Sequence, residues 1–377
     1  METPNAETWT TQTLSADASG IAQAAAALRR GEVVGMPTET VYGLAGDGFN
    51  PVALARIFAA KERPTFDPLI LHVFAPMAGR PAKCNDGCAL LAELGVLNSA
   101  RLSPEARSTA NTLMDRFWPG PLTLVLPKSE RVPDLATSGL DTAGFRMPAH
   151  PIAQALIEAV GRPLAAPSAN RFGRISPTSA ADVRAELDGR IPWILDGGPC
   201  AVGVESTVVQ VLVDGRVSLL RPGGVSAEAI IAACGGRALV SAIVQPTSGL
   251  VSPGSLASHY APRKKLRLLS VAAAATDGLS EALRRAFPVP PRHLGFLAQS
   301  GDPSEIEARV GADFGSDCTC RVLSPGGDVN EAARNLFRHL RELDESAATE
   351  LAAEPWAPNE GLGFAINDRL KRAAHRD

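Results

Sequence analysis

The sequence predicts an α/β protein with two domains and a mixed sheet in the first of them. Short apolar strands alternate with helical segments along most of the chain, which is the pattern of an α/β fold. The segment VVQVLVDGRVSLL has an Asp214-Gly215 turn and favours an antiparallel hairpin, so the sheet is not purely parallel. The chain of 377 residues is long for one domain and suits two.

The elements of the first domain, which we expect to span residues 15–237, follow from local patterns. Residues 21–30 are rich in Ala and end in two Arg, which predicts a short helix. Residues 51–61 begin with Pro and carry apolar side chains at helical spacing, which predicts a second helix. The remaining segments predict strands at 32–36, 69–74, 122–126, 193–198, 206–213 and 217–224, and helices at 151–160 and 179–187.

The composition changes at residues 238–264, which are rich in Ser, Pro and Gly and have no hydrophobic period. Such a stretch is typical of a linker. A second alternation of strands and helices follows and predicts a smaller α/β domain at 265–377. Its helix at 329–345 places four apolar residues on one stripe, which we expect to be buried: Ala332, Leu336, Leu340 and Leu343.

Charge and hydropathy limit the class of protein. The net charge of −3 gives no sign of a general nucleic-acid or membrane binder, so any anion site must be a local cluster. The polar N-terminal residues argue against a signal peptide, and no segment reaches about 18 continuous apolar residues. We therefore expect a soluble cytoplasmic protein that does not enter a membrane.

The six Cys residues do not predict a metal site. None forms a C-x-x-C pair, and Cys318 and Cys320 are too close together for an ordinary zinc half-site. We expect reduced or buried thiols and no protein-held metal.

Polar residues concentrate in a few short segments. PTETVYGL at 37–44 puts a carboxylate between hydroxyls after a strand, where α/β folds bind ligands, although an ordinary turn with a helix cap explains it equally well. Lys61 and Arg63 follow a helix in KERPTFDPL, where they either bind phosphate or compensate the helix dipole. His72 lies in an apolar strand, and this position alone favours a structural role in the core over a role in binding.

Three further segments carry hydroxyls and guanidinium groups. PSANRFGRISPT at 167–178 forms a hydrogen-bonding loop before a helix N-terminus, which favours anions. Thr142 and Arg146 lie in DTAGFRMP, and Arg221 follows a strand just before Pro-Gly-Gly. The chain has no Walker loop, no G-x-G-x-x-G before a helix, no H-E-x-x-H and no G-x-S-x-G. This inventory indicates catalysis by positioning and charge neutralisation, without a covalent intermediate.

Taken together, these segments resemble the YrdC/Sua5 family of threonylcarbamoyl-AMP synthases over roughly residues 15–237. They occur in the family's order: PTETVYGL, KERPTFDPLILHV, WPGPLTLVL, GFRMP, PSANRFGRISPT, ESTVV and LRPGG. SPGSLASHYAPR at 252–263 resembles the linker motif of the two-domain Sua5 type. The resemblance implies a YrdC-like twisted, open, mixed sheet with a concave basic groove, followed by a smaller Rossmann-like Sua5 domain.

The resemblance also implies a reaction. The amine of L-threonine and bicarbonate form a carbamate, which attacks the α-phosphate of ATP and displaces pyrophosphate. Mg²⁺ is expected with the ATP phosphates. The product, threonylcarbamoyl-AMP, would pass to the machinery that makes the t6A modification of tRNA, with at most a weak tRNA contact by this chain itself.

Site residues are carried over by matching motif positions. Lys61 and Arg63 are implied as the catalytic triphosphate clamp. The implied ATP contacts are Lys61, Arg63, Asp67, Thr142, Ser168, Asn170, Ser176, Arg221 and Tyr260. The implied threonine contacts are Thr40, His72, Arg146, Ala166 and Thr207. The acidic Asp67 departs from the usual pattern, so we expect its contact to be through the backbone, and residues 75–112 form an unusually long connection in which we expect a helix.

Two other functions compete with this one. An RNA-binding or regulatory module is disfavoured because the basic residues are not interleaved with aromatic ones. A carbamoyl-transfer domain of the hydrogenase-maturation type would bring zinc-binding and acylphosphatase-like segments, and the sequence has none.

Overall fold

The computed structural model describes residues 9–74, 86–235, 239–240, 259–270 and 278–375. The chain divides into two compact units. The first unit comprises Met1–Phe172, Pro177–Ala201 and Glu205–Ser255, and the second comprises Gly173–Ser176, Val202–Val204 and Leu256–Asp377.

The first unit is built on one mixed sheet. Among the described residues its strands are β1 (Gln12–Ser15), β2 (Val34–Met36), β3 (Gly43–Asp47), β4 (Ile70–His72), β5 (Leu122–Pro127), β6 (Thr142–Arg146), β7 (Leu164–Ala165), β8 (Trp193–Asp196), β9 (Thr207–Val211), β10 (Val217–Arg221) and β11 (Leu239–Val240). Their order across the sheet is β1-β8-β2-β3-β7-β4-β6-β5-β9-β10-β11. β4 runs parallel to β6, whereas β5 runs antiparallel to β6, so the predicted mixed sheet is confirmed.

The hairpin predicted at Asp214-Gly215 is present. β9 and β10 pair antiparallel on either side of it, and the amide of Gly215, whose φ is 76°, donates a hydrogen bond to the carbonyl of Leu212. Gly tolerates this left-handed backbone because it has no Cβ.

Helices cover both faces of the sheet. They are α1 (Ala18–Arg29), α2 (Pro51–Lys61), α3 (Gly87–Glu93), α4 (Pro104–Phe117), α5 (Asp134–Thr137), α6 (Pro151–Val160), α7 (Ala180–Leu187) and α8 (Ala227–Ala233). α2 begins with Asn50 capping the amide of Val52, and α7 begins with a capping box of Ser179 and Asp182. One apolar cluster packs α1 and α6 against the sheet, and another packs α2, α3, α4 and α7.

The second unit is a smaller parallel α/β structure. Its described elements are β12 (Leu266–Leu268), α9 (Leu279–Ala286), β13 (His293–Ala298), α10 (Pro303–Arg309), a π-helical turn (Val310–Phe314), β14 (Asp317–Val322), α11 (Val329–Glu345), β15 (Glu350–Ala353) and α12 (Gly361–Ala374). The strand order is β12-β15-β13-β14, with every pair parallel. The four residues of the predicted stripe on α11 are fully buried, as expected.

Two sequence expectations concern segments that are only partly described. Within 75–112 the described residues contain α3, a 3₁₀ turn at Ser99–Arg101 and the start of α4, and residues 75–85 lie outside the described part. Within 238–264, Leu239–Val240 forms β11 beside β10, and residues 241–258 lie outside the described part. No helix among the described residues is long and apolar enough to cross a membrane.

Candidate active site

The candidate site lies at the carboxyl ends of β2, β4 and β6 in the first unit. β4 and β6 are parallel, and their pairing sets the Cα of His72 opposite the Cα of Arg146. The turn after β2 carries Thr38, Glu39 and Thr40, all of which are buried. Arg146 Nη2 lies 2.7 Å from Glu39 Oε1, so the fold joins the end of β6 to the turn after β2.

The charges in this part of the site are strongly coupled. Burial alone would raise the pKa of Glu39, but the charge of Arg146, helped by nearby backbone N–H groups, outweighs burial and lowers that pKa. Burial, followed by the charge of Arg146, lowers the pKa of His72 to about 3. His72 is therefore neutral at pH 7, and one of its ring nitrogens lies 3.3 Å from the carbonyl of Ile70.

Thr40 is held by its own turn. The Thr38 hydroxyl donates to the carbonyl of Val41 at 2.6 Å, accepts from the amide of Thr40, and lies 2.9 Å from the Thr40 hydroxyl. These bonds fix the turn and leave both hydroxyls buried in it.

Lys61 anchors the loop that follows β7. Its Nζ donates to the carbonyls of Ser168 and Asn170, each at 2.5 Å, and the side chain is 1% exposed. Burial and then the charge of Arg63 lower the pKa of Lys61 well below its usual value, against the opposing charges of Asp67 and Glu186. The same loop carries Ala166, whose amide donates to the carbonyl of Ile70 in β4.

Arg63 shapes the loop in which it stands. Its Nε donates to the carbonyl of Asp67 at 3.2 Å and its Nη2 donates to the carbonyl of Pro68 at 2.9 Å. Nη2 also lies 2.9 Å from Asp67 Oδ2, and both side chains are buried. Burial raises the pKa of Asp67, although the charges of Arg63, Lys61 and Arg221 act in the other direction. Asp67 thus neutralises part of a buried cationic cluster.

Thr207 begins β9, and Arg221 ends the neighbouring strand β10. Arg221 donates from Nη2 to the Ser206 carbonyl at 2.9 Å and to the Ser206 hydroxyl at 3.1 Å. The Thr207 hydroxyl donates to the carbonyl of Val225 at 2.6 Å and accepts from the amide of the same residue at 2.9 Å. The Thr207 hydroxyl is therefore already engaged, and a substrate would have to compete with Val225 for it.

Three further predicted residues, Thr142, Ser176 and Tyr260, are described by their own surroundings. Thr142 begins β6 and Arg146 ends it, so their Cα atoms are about 13 Å apart at the usual rise of a strand. Ser176 is fully buried and belongs to the second unit, as does Tyr260. Tyr260 has a φ of 66° and packs its ring against Phe337 and the guanidinium of Arg369.

Two functional candidates were missed by the sequence analysis. Glu39, the partner of Arg146, stands in the PTETVYGL segment, and its position between two threonines was the available signal. Ser206 binds Arg221 through both its carbonyl and its hydroxyl, and only the folded pairing of β9 with β10 reveals this.

Known proteins resemble the chain over both units. Residues 26–223 match the Sua5, YciO and YrdC family model, described as telomere recombination, and residues 225–375 match the model described as threonylcarbamoyl-AMP synthase, C-terminal domain. The threonylcarbamoyl-AMP synthase of Bacillus subtilis (strain 168) is 39% identical over 366 residues, covering 97% of this chain and 95% of the relative. That of Pyrococcus abyssi (strain GE5 / Orsay) is 40% identical over 352 residues, covering 93% of each.

A solved structure supports the same likeness. The crystal structure of P. abyssi Sua5 complexed with L-threonine superimposes with a TM-score of 0.79 at 36% identity and covers 97% of both chains. The predicted fold, a mixed α/β sheet followed by a smaller α/β domain, is confirmed by this match.

Proposed function

This chain belongs to the Sua5 family of threonylcarbamoyl-AMP synthases, and from that premise we propose that it condenses L-threonine, bicarbonate and ATP to threonylcarbamoyl-AMP and pyrophosphate. It acts as a nucleotidyltransferase that supplies the activated intermediate for the t6A modification of tRNA. The observation that carries this proposal is the buried cluster of the basic residues Lys61, Arg63 and Arg221 around Asp67, together with a separate buried Arg146. The triphosphate of ATP and the carboxylate of threonine each need basic residues to bind them.

Lys61 is the natural ligand for the triphosphate. An ammonium group has more N–H donors than the two that Lys61 gives to the loop carbonyls, so one remains for a phosphate oxygen. A bound phosphate also supplies the negative charge that favours the protonated lysine. Arg63 and Arg221 add positive potential and hold the surrounding loops, so charge that develops on the leaving pyrophosphate meets groups that are already in place.

Arg146 is the natural ligand for the carboxylate of threonine. A guanidinium binds a carboxylate with strong, charge-assisted hydrogen bonds, and Arg146 is buried at a strand end beside the neutral His72. With threonine held there, its amine, after losing the ammonium proton, forms an N–C bond to bicarbonate, whose C–O bond breaks with release of water, and an oxygen of the resulting carbamate forms the new bond to the α-phosphorus. The bond between that phosphorus and the bridging oxygen of pyrophosphate breaks.

Mg²⁺ would arrive with ATP. The described residues contain no group of three His, Cys, Asp or Glu side chains that could hold a metal ion. The phosphate oxygens would supply the ligands, and the ion would neutralise triphosphate charge.

The RNA-binding alternative is not favoured, because relatives that match nearly the whole chain are threonylcarbamoyl-AMP synthases. Transfer of the product to tRNA belongs to a separate downstream activity in this proposal.

A substrate-omission assay tests the function. Labelled bicarbonate should enter an adenylate product, identified by its mass, only when threonine, ATP and Mg²⁺ are all present. Pyrophosphate release that does not depend on threonine would refute the proposal.

Two substitutions then distinguish the residues that bind ATP from those that bind threonine. Arg63→Ala should weaken ATP binding and Arg146→Ala should weaken threonine binding. Equal loss of both substrates, together with unfolding, would instead assign both residues a structural role.

A further inference from the structure

The ion pair of Glu39 and Arg146 is poorly satisfied for a buried pair. The contact of Arg146 Nη2 with Glu39 Oε1 is 2.7 Å long and the backbone N–H groups of Ala149 and Glu39 lie near the carboxylate, yet none of these contacts has the distance and angle of a good hydrogen bond to either carboxylate oxygen. Arg146 Nη2 likewise donates none, and its Nε donates only a long bond of 3.4 Å to the carbonyl of Gly120. Both residues are buried, with 4% of the Arg146 side chain and 10% of the Glu39 side chain exposed. A buried pair normally needs further hydrogen bonds to offset its desolvation, so this pair retains binding capacity for a ligand.

Three titratable neighbours of the pair are uncharged at neutral pH. His72 faces it from β4 and is neutral, because burial and then the charge of Arg146 lower its pKa to about 3. Burial lowers the pKa of His150, at the start of α6, and raises that of the Cys200 thiol beyond β8. Glu39 and Arg146 therefore present one negative and one positive charge beside three neighbours that are uncharged at neutral pH.

That arrangement matches the charges of a free α-amino acid. We propose that Glu39 and Arg146 together recognise the zwitterion of the substrate, with Arg146 binding its carboxylate and Glu39 binding its ammonium group. The inference rests on the proposed function and adds a specificity-determining residue, Glu39, to it. The two groups of an α-amino acid are attached to the same carbon, so a ligand carboxylate on Arg146 brings its ammonium group to the neighbouring Glu39.

The charge balance explains why both ends of the ligand matter. A zwitterion has no net charge, so its entry leaves the buried site neutral and gives each protein charge a second partner. A 2-hydroxy acid brings only the carboxylate and leaves Glu39 without a new partner beside an added negative charge. An amino alcohol brings only the ammonium group and leaves Arg146 without a new partner beside an added positive charge. Uncompensated buried charge is costly, so both analogues should bind poorly.

Calorimetric binding to the full chain tests the inference without requiring turnover. The ligands are L-threonine, 2,3-dihydroxybutanoate of matching stereochemistry, and threoninol. The wild-type protein should bind threonine about tenfold or more tightly than either analogue, the loss expected for one charge-assisted hydrogen bond. In Glu39→Gln, threonine and the hydroxy acid should bind within about threefold of each other, whereas the preference over threoninol should persist because Arg146 is intact.

A matched variant controls for the loss of a buried carboxylate. Asp47 is 1% exposed, pairs with Arg162 at 2.9 Å, and lies at the end of β3. Asp47→Asn should leave the preference for threonine over the hydroxy acid as in the wild type. Glu39→Asp, which keeps the charge, should recover part of that preference and provides the test if Glu39→Gln does not fold.

Each outcome has a separate meaning. If wild-type protein binds threonine and Glu39→Gln keeps the full preference over the hydroxy acid, Glu39 does not receive the ammonium group and the inference is wrong. If the two analogues bind wild-type protein as tightly as threonine does, zwitterion recognition is also wrong. If the synthase assay fails although threonine binds with the predicted preferences, the proposed function fails and the recognition site stands.

Discussion

Lys61→Met is the substitution that connects the stability of the fold most directly with the chemistry of the site. Methionine keeps the apolar stem of the side chain and removes every donor. Ser168 and Asn170 then lose the donor that reaches their carbonyls at 2.5 Å in the interior. A buried acceptor left unpaired costs about 1–3 kcal/mol, so the buried Asn170 carbonyl predicts a loss of that size in the free energy of unfolding, to which the partly buried Ser168 carbonyl adds a smaller amount. The lower part of this range is expected, because the variant no longer buries an ammonium group.

The same variant should bind ATP more weakly. One charge-assisted hydrogen bond contributes about 1.5–3 kcal/mol, which corresponds to a rise of about 10- to 150-fold in the dissociation constant. Threonine should bind almost normally, since Arg146 contacts Glu39 and Gly120 and makes no contact with Lys61.

Urea denaturation gives the stability, and calorimetry gives the two affinities. Lys264→Met is a matched control, because Lys264 Nζ also donates to two carbonyls, those of Ser346 and Leu343, in the second unit. The control should lose stability and keep its affinity for ATP. Undiminished ATP binding by a folded Lys61→Met variant would remove Lys61 from the phosphate site, and undiminished stability would contradict its role as the anchor of the loop.

Three further outcomes are expected. Burial holds the pKa of Lys61 below its usual value and a bound phosphate raises it, so ATP binding should take up protons at any pH above the pKa that Lys61 has in the free protein; calorimetry across a range of pH, in buffers of different ionisation enthalpy, measures the uptake, which Lys61→Met should abolish. The unfolded chain protonates His72 near pH 6.5 and the folded chain only near pH 3, so stability falls as the pH drops from about 6.5 towards 3, and His72→Gln should flatten the measured slope. Tyr42→Phe should cost about 1–3 kcal/mol on thermal unfolding while preserving synthase activity, because its buried hydroxyl donates to the Gly198 carbonyl at 2.7 Å; unchanged stability would show that water replaces this bond.

The sequence predicted the elements whose signals are local. α2, α6 and α11 have the predicted bounds; Pro at the first turn and helical apolar spacing indicated α2, and an apolar stripe indicated α11. β3 and β6 were not predicted as strands, because GLAGD and TAGFR are rich in Gly and Ala, which have little preference for strands. Pairing with neighbours on both sides makes them strands, and that pairing is a property of the folded sheet.

The sequence likewise predicted one part of the candidate site, and the fold determines the other. Motif order along the chain was enough to predict the family, the mixed sheet and the residues expected to meet ATP and threonine, since each motif is a short run of neighbouring residues. The partner of each side chain required the fold, because hydrogen bonds and ion pairs form between segments that the sheet brings together. Glu39 after β2 meets Arg146 after β6, and Lys61 after α2 meets the loop after β7. The sequence determined which charged groups are present, and the tertiary structure decided which of them neutralise one another and which remain to hold a substrate.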